Sequence, residues 1–290
     1  MLDEQFRAIV DARMRQPGAV AERAAARVRP ASMFNERGRL MIIAADHPAR
    51  GALRAGDRPT AMGNRVDLLD RIALALSRPG VNGVLGTADI IEDLLLMGAL
   101  DGKVVIGSMN RGGLAGTVFE IDDRFTGYTA EVIAAMGYEG GKMLMRIDPG
   151  DPGTVATMQA CSQAVTGLAE QRLMAMIEPF ISHRVDGRVR NELTADAMVR
   201  AVSVAAGIGA TSAYSWLKIP VVDEMERVVA ASTLPALILG GEVSADQDAT
   251  FDSWRKALAL PTVCGLVVGR ALLYPPDDDV AAAVDTAVSL

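Results

Sequence analysis

The sequence predicts an α/β fold, a (β/α)8 TIM barrel with an N-terminal helical extension, and three observations carry that reading. Short apolar, β-rich runs alternate with helix-compatible stretches through eight units, the mark of parallel βαβ construction. Segments from helix to next strand are short, whereas several from strand to next helix are long. Polar residues gather at the carboxyl ends of runs that buried parallel strands should keep continuously hydrophobic. A chain of 290 residues, 50% apolar, suffices for one extended core.

Taken in order, Leu2 to Val28 reads as one or two helices able to cover the barrel bottom, which places a helical extension at residues 1–39 and the barrel at 40–290. The expected strands are Leu40–Asp46, Gly83–Thr87, Lys103–Asn110, Lys142–Asp148, Arg172–Pro179, Ser212–Pro220, Pro235–Gly241 and Gly265–Arg270. The helices that follow them are Arg65–Ser77, Ala88–Met97, Thr129–Met136, Val155–Glu170, Ala195–Ala206, Asp223–Ala231, Asp248–Leu258 and Val280–Ser289. The long connections are His47–Asn64, Arg111–Thr126 and Phe180–Thr194. In a (β/α)8 barrel such loops rise from the carboxyl face, where sites of that fold are built. An open doubly wound sheet would carry a glycine-rich turn after its first strand, and Asp46-His-Pro-Ala-Arg-Gly51 is not one. No Walker-type motif is present either.

Lys218, in the apolar run Ala213-Tyr-Ser-Trp-Leu-Lys-Ile-Pro220, is the most informative residue. It is one of only four lysines in the chain, so its place within a strand is not surface decoration. Burial lowers an amine's pKa, and a neutral amine can attack a carbonyl to form a Schiff base, which arginine cannot do. The competing reading is a lysine paired with a carboxylate in the barrel core. Alternation places Ile42, Ala44 and Asp46 on one face, as it does Met176 and Glu178, Trp216 and Lys218, and Val268 and Arg270. If their apolar members point inward, the charged ones converge at the mouth. Glu178 would either neutralise Lys218 or shuttle its protons; Asp46 is a second acid–base candidate, and His47 beside it a weaker one. Gly240 and Gly241 after the seventh strand, with Gly269 and Arg270 after the eighth, stand where barrels hold phosphate. Arg146 and Asn110, with Arg111 beside it, are further candidates for substrate contact.

Composition removes whole classes. A net charge of -7 with no basic cluster argues against nucleic acid. There is no run of eighteen apolar residues and no secretory signal, so no membrane role and a cytoplasmic location are expected. Two histidines cannot build a three-histidine zinc site, and Cys161 and Cys264 have neither metal nor disulfide spacing, so they read as buried thiols. No metal and no cofactor are expected.

On these residues the chain, from about Leu40 to Tyr274, resembles the class I (Schiff-base) aldolases of (β/α)8 fold, including the fructose- and tagatose-bisphosphate enzymes. The motifs are Ile42-Ile-Ala-Ala-Asp-His47, Glu178-Pro179, Leu217-Lys-Ile-Pro220, Gly240-Gly241 and Gly269-Arg270. Within that group it is most similar to an aldolase-like barrel family associated with inositol catabolism. The resemblance implies metal-independent cleavage of a phosphorylated keto acid or ketose, with 2-deoxy-5-keto-gluconate 6-phosphate as leading candidate. It implies Lys218 as Schiff-base lysine, Glu178 and Asp46 as acid–base partners, and Gly240, Gly241, Gly269 and Arg270 as phosphate contacts. Relatives often add a second lysine or a tyrosine; here Arg146 stands where such a lysine is expected, and Lys142, opening its strand, is expected low in the barrel. A homo-oligomer is expected. The alternatives are an acyltransferase or isomerase using the same lysine, and a non-catalytic sugar-phosphate-binding protein.

Overall fold

The computed structural model describes residues 3–110 and 114–290. Eight parallel strands close into a barrel: β1 (Leu40–Ala44), β2 (Gly83–Gly86), β3 (Val104–Ser108), β4 (Gly140–Ile147), β5 (Met174–Val185), β7 (Ser215–Ile219), β8 (Ala236–Leu239) and β9 (Val263–Val268). Pairing runs in chain order and closes through β1–β9, as a (β/α)8 barrel requires. The remaining strand, β6 (Arg188–Asn191), pairs antiparallel with the outer half of β5.

The outer layer consists of α3 (Arg65–Ser77), α4 (Ala88–Leu96), α5 (Ala130–Ala135), α6 (Gly153–Glu170), α7 (Ala195–Ala206), α8 (Met225–Val229), α9 (Gln247–Leu258) and α11 (Val280–Ser289). Their starts are set locally. Asn64, Thr129, Thr194, Asp246 and Asp279 each accept a backbone N–H three residues on, satisfying a donor that the first helical turn leaves unpaired. A four-residue helix, α10 (Arg270–Leu273), follows β9 directly.

Alternation along the strands separates two apolar layers. Leu40, Ile42, Ala44, Leu85, Ile106, Met176, Leu237 and Val267 fill the barrel interior. Their neighbours, among them Ile43, Val84, Val105, Ile177 and Val268, face the helices. Val267 therefore points inward and Val268 outward, opposite to the expected face. Arg270 reaches the mouth because Gly269 turns the chain into α10, and not by strand alternation.

Two expectations about connections change. The segment after the fifth strand, expected as a loop, is a β-hairpin whose two-residue turn is Asp186-Gly187, both left-handed (φ 49 and 75). That is the Asp-Gly turn matched to strand twist. Pro179 is tolerated within β5 because pairing with β7 ends at Ile177, leaving that side of the strand free. The N-terminal helices α1 (Asp3–Arg15) and α2 (Ala19–Ala26) lie along the barrel flank: α2 packs on α4, and Arg13 reaches Glu92 and Asp93. The interior is approached from below instead by Met33, with Phe34 against Trp216. Arg27 anchors this segment by donating to Lys103 O, Gly137 O and buried Glu139. Cys161 is buried, and Cys264, inside β9, only partly so.

Candidate active site

Strand geometry brings four ionisable side chains together in a cavity of about 430 Å³ at the carboxyl end of the barrel. Asp46 follows β1, Lys142 comes from β4, Glu178 from β5 and Lys218 from β7. Lys142 Nζ lies 2.9 Å from Asp46 Oδ2 and 2.6 Å from Glu178 Oε2. Lys218 Nζ lies 3.2 Å from the same Glu178 oxygen. Ser108 Oγ is 3.5 Å from Asp46 Oδ2, and His47 Nδ1 is 3.6 Å from Asp46 Oδ1. All four charged residues are buried.

The two lysines are electrostatically unequal. Burial depresses both, but Lys142 sits between two carboxylates that outweigh it and hold its ammonium well above the usual range. Lys218 has one direct carboxylate partner, and burial, with the positive charge of Lys142, leaves its pKa below the ordinary lysine value. Burial alone would raise the two acids. Instead Lys142 and then Lys218 hold Glu178 down at about 2 and Asp46 lower still. Burial, reinforced by Arg270, Lys218 and Arg50 against the pull of Asp46, lowers His47 to about 3, so its imidazole is neutral. Of the two amines within reach of a ligand, Lys218 is therefore the better nucleophile.

The rim carries the other polar groups. Gly240, Gly241, Gly269 and Arg270 line one side. A Cβ on Gly269 would stand 2.3 Å from Ala44 O, so only glycine lets β9 close on β1 there; Gly241 adopts φ 67. Arg270 Nη1 and Nη2 make only long contacts, 3.5 Å, to Arg54 O and Gly241 O, and its Nε is buried without a hydrogen-bond partner. Arg50 and Arg146, also in the lining, both donate to Glu120.

A family model described as Cgl0159-like matches residues 38–288. The chain belongs to the Cgl0159-like family. The crystal structure of Cgl0159 from Corynebacterium glutamicum (Brevibacterium flavum) is 53% identical, with TM-score 0.96 over 99% of this chain and 97% of that one. The fold extends further. A Schiff base forming fructose-1,6-bisphosphate aldolase superposes with TM-score 0.64 at 18% identity, covering 93% of this chain and 98% of its own. A fructose-bisphosphate aldolase from Slackia heliotrinireducens gives TM-score 0.61 at 15% identity, covering 99% and 91%. No curated protein matches this family member in sequence.

Among the expected site residues, Asp46, Glu178, Lys218, Arg146, Gly240, Gly241, Gly269 and Arg270 all line the one cavity. Asn110 does not. Its amide donates to Leu144 O and accepts from Leu144 N, both at 2.7 Å, so the side chain fastens the end of β3 to β4. Arg111 falls outside the described residues. Lys142 requires a correction: it is not low in the barrel but central to the quartet. β4 begins two residues earlier than expected, at Gly140, and the lysine stem carries Nζ up to Glu178. It, and not Arg146, supplies the second amine. Phe180, Arg190, Asn191 and Glu120 also line the cavity and escaped the sequence reading. The Asp186-Gly187 dipeptide between alternating runs was the available signal for the hairpin that brings in Arg190 and Asn191. Among the described residues no cluster of His, Cys, Asp or Glu is arranged to hold a metal ion. Nor, among them, is any helix long and apolar enough to cross a membrane.

Proposed function

We propose that this chain is a metal-independent class I aldolase acting on a phosphorylated ketose or keto acid, with Lys218 as the Schiff-base residue. The observation that carries the reading is the inequality of the two buried amines: Glu178 Oε2 bridges both, yet only Lys218 has a depressed pKa. Lys218 attacks the substrate ketone in its unprotonated form, which the depressed pKa makes more accessible than for an ordinary lysine, and the carbinolamine loses its hydroxyl as water. Glu178, in contact with Nζ, carries the protons these steps move, with Lys142 on its other side as the permanently charged member. The resulting iminium accepts the electron pair of the breaking carbon–carbon bond. The hydroxyl on the departing carbon gives its proton to a carboxylate of the quartet and becomes the carbonyl of the aldehyde that leaves. The enamine takes up a proton on carbon, and water hydrolyses the iminium to release the ketone product and free Lys218.

Asp46, on the far side of Lys142, fixes that ammonium and completes the relay. The rim glycines and Arg270, whose guanidinium is weakly engaged within the chain, suit the substrate phosphate.

Borohydride reduction tests the reading. The protein is incubated with dihydroxyacetone phosphate, and separately with ketose and keto-acid phosphates beginning with 2-deoxy-5-keto-gluconate 6-phosphate, then reduced and mapped by mass spectrometry. A covalent adduct on Lys218, abolished in Lys218→Met, is expected. Absence of any adduct with every ketone would remove the mechanism. Ligand binding without an adduct would leave a sugar-phosphate-binding protein.

A further inference from the structure

The outer half of the cavity holds a second cluster that Schiff-base chemistry does not use. Arg50, at the end of the short turn His47–Arg50, donates to Glu120 Oε1 at 2.9 Å, and Arg146 of β4 donates to the same oxygen at 2.7 Å. The other Glu120 oxygen accepts from Gly116 N–H at 2.9 Å. All three charged side chains line the cavity that contains Lys218. Arg146 is only 5% exposed, and the Nε groups of both arginines are buried without hydrogen-bond partners. Two guanidiniums thus converge on a single carboxylate oxygen with donors to spare. Buried N–H groups left in this state are costly unless a ligand completes them.

Position gives the cluster its meaning. Lys142 and Arg146 lie on the inward face of β4 four residues apart, a rise of about 13 Å along the strand. Arg146 is therefore displaced toward the open end from the amines, on β4 and away from the β8 and β9 ends that carry Gly240, Gly241 and Arg270. Arg50 reaches it from the turn after β1, near enough to Arg270 to feel its charge. A ligand whose ketone carbon reaches Lys218 can extend toward Arg50 and Arg146. The pair already accepts a carboxylate, that of Glu120, and guanidinium forks match carboxylate geometry.

We propose that Arg50 and Arg146 form a carboxylate subsite for the end of the substrate remote from its phosphate, and that Glu120 fills this subsite until the substrate's carboxylate displaces it. The inference rests on the aldolase reading and narrows it: the substrate is a phosphorylated keto acid, and its aldehyde fragment leaves carrying the carboxylate. Glu120 is then an internal competitor, so removing its charge should improve binding where removing an arginine weakens it. A purely structural ion pair would give weakened behaviour in both.

The test uses the full chain and two independent readouts. Calorimetric titration with succinate, which needs no turnover, is made on wild type, Glu120→Gln, Arg146→Gln and Arg50→Gln; thermal melts verify that each variant folds, and the two arginine variants substitute for each other should one fail. Glu120→Gln should bind succinate at least tenfold more tightly, and each arginine variant about ten- to a hundredfold more weakly. Succinate affinity that is unaltered by all three substitutions, or lowered by Glu120→Gln, overturns the proposal. In the second readout, dihydroxyacetone phosphate is offered to wild type with succinic semialdehyde, butanal or glyceraldehyde 3-phosphate. Preference for succinic semialdehyde over both others is expected; preference for the phosphorylated aldehyde refutes a carboxylate subsite. Failure of the aldolase reading itself is recognised separately, by missing borohydride adducts in wild type while the succinate differences persist.

Discussion

Replacing Lys142 by methionine should leave the Schiff-base residue in place but move its titration. Both ammonium nitrogens contact Glu178 Oε2, at 2.6 and 3.2 Å, so they lie within about 6 Å of each other. At an effective dielectric of about 20, two like charges at that distance repel by roughly 3 kcal/mol, equivalent to about two pKa units. Removing the Lys142 charge removes this push, and the pKa of Lys218 rises. Asp46, deprived of its nearest ammonium, takes up a proton more readily, which subtracts a negative charge and trims the shift to about one to two units. Because the neutral amine is the reactive form, kcat/KM at neutral pH should fall about ten- to a hundredfold and recover as pH increases. The assay is the pH dependence of kcat/KM in Lys142→Met and wild type, with borohydride mapping at each pH. An alkaline limb that stays where it is in wild type would refute the electrostatic argument. An adduct that forms on Lys142 and is lost in this variant would refute the assignment of the nucleophile.

The remaining predictions concern binding and stability. Arg270→Ala should raise KM for a phosphorylated substrate about ten- to a hundredfold while melting like wild type, since its guanidinium makes only long contacts within the chain; an unchanged KM would put the phosphate elsewhere. Glu178, lowered from an ordinary value of 4.5 to about 2, contributes stability above pH 4.5 that is lost as pH falls toward 2. Lys142→Met returns that carboxylate upward, so the stability gap between wild type and variant, roughly 3 kcal/mol near neutrality, should narrow by pH 3 in urea titrations; a gap that widens on acidification would contradict this. At the opposite end of the barrel, Arg27→Met strands the buried carboxylate of Glu139 and should cost about 3–5 kcal/mol, lowering Tm by roughly 5–8 °C with kcat/KM unaltered. A Tm within about 2 °C of wild type would mean that Arg29, 3.1 Å from the same oxygen, suffices.

Much of the fold was legible because its signals are local. Helix starts are written by Asn64, Thr129, Thr194, Asp246 and Asp279, each satisfying a nearby backbone donor. Period-2 alternation put Asp46, Glu178 and Lys218 in line with the inward residues Ala44, Met176 and Trp216. The same rule failed at Arg270, because Gly269 ends the strand and turns the chain before alternation can be continued. The hairpin over Met174–Asn191 carried a readable Asp-Gly turn, hidden by the expectation that a parallel strand is followed by a loop.

Residue type, spacing along each strand and the shortage of lysine and histidine were determined by the sequence alone, and they suffice for a barrel with a buried amine at its carboxyl end. Which charges meet was decided only by closure of the sheet. Hydrogen-bond register pairs Lys142 with Ser108 on one side and with Met176 on the other, one inward layer short of Glu178. Strand tilt and stagger nevertheless bring its Nζ to the Glu178 carboxylate, since heights in a barrel follow its axis and not the strand direction. Stagger belongs to all eight strands at once, so no single strand's sequence records it. The same closure sets Arg50, Glu120 and Arg146, drawn from two loops and a strand, around one cavity, where their proximity and burial determine their chemistry.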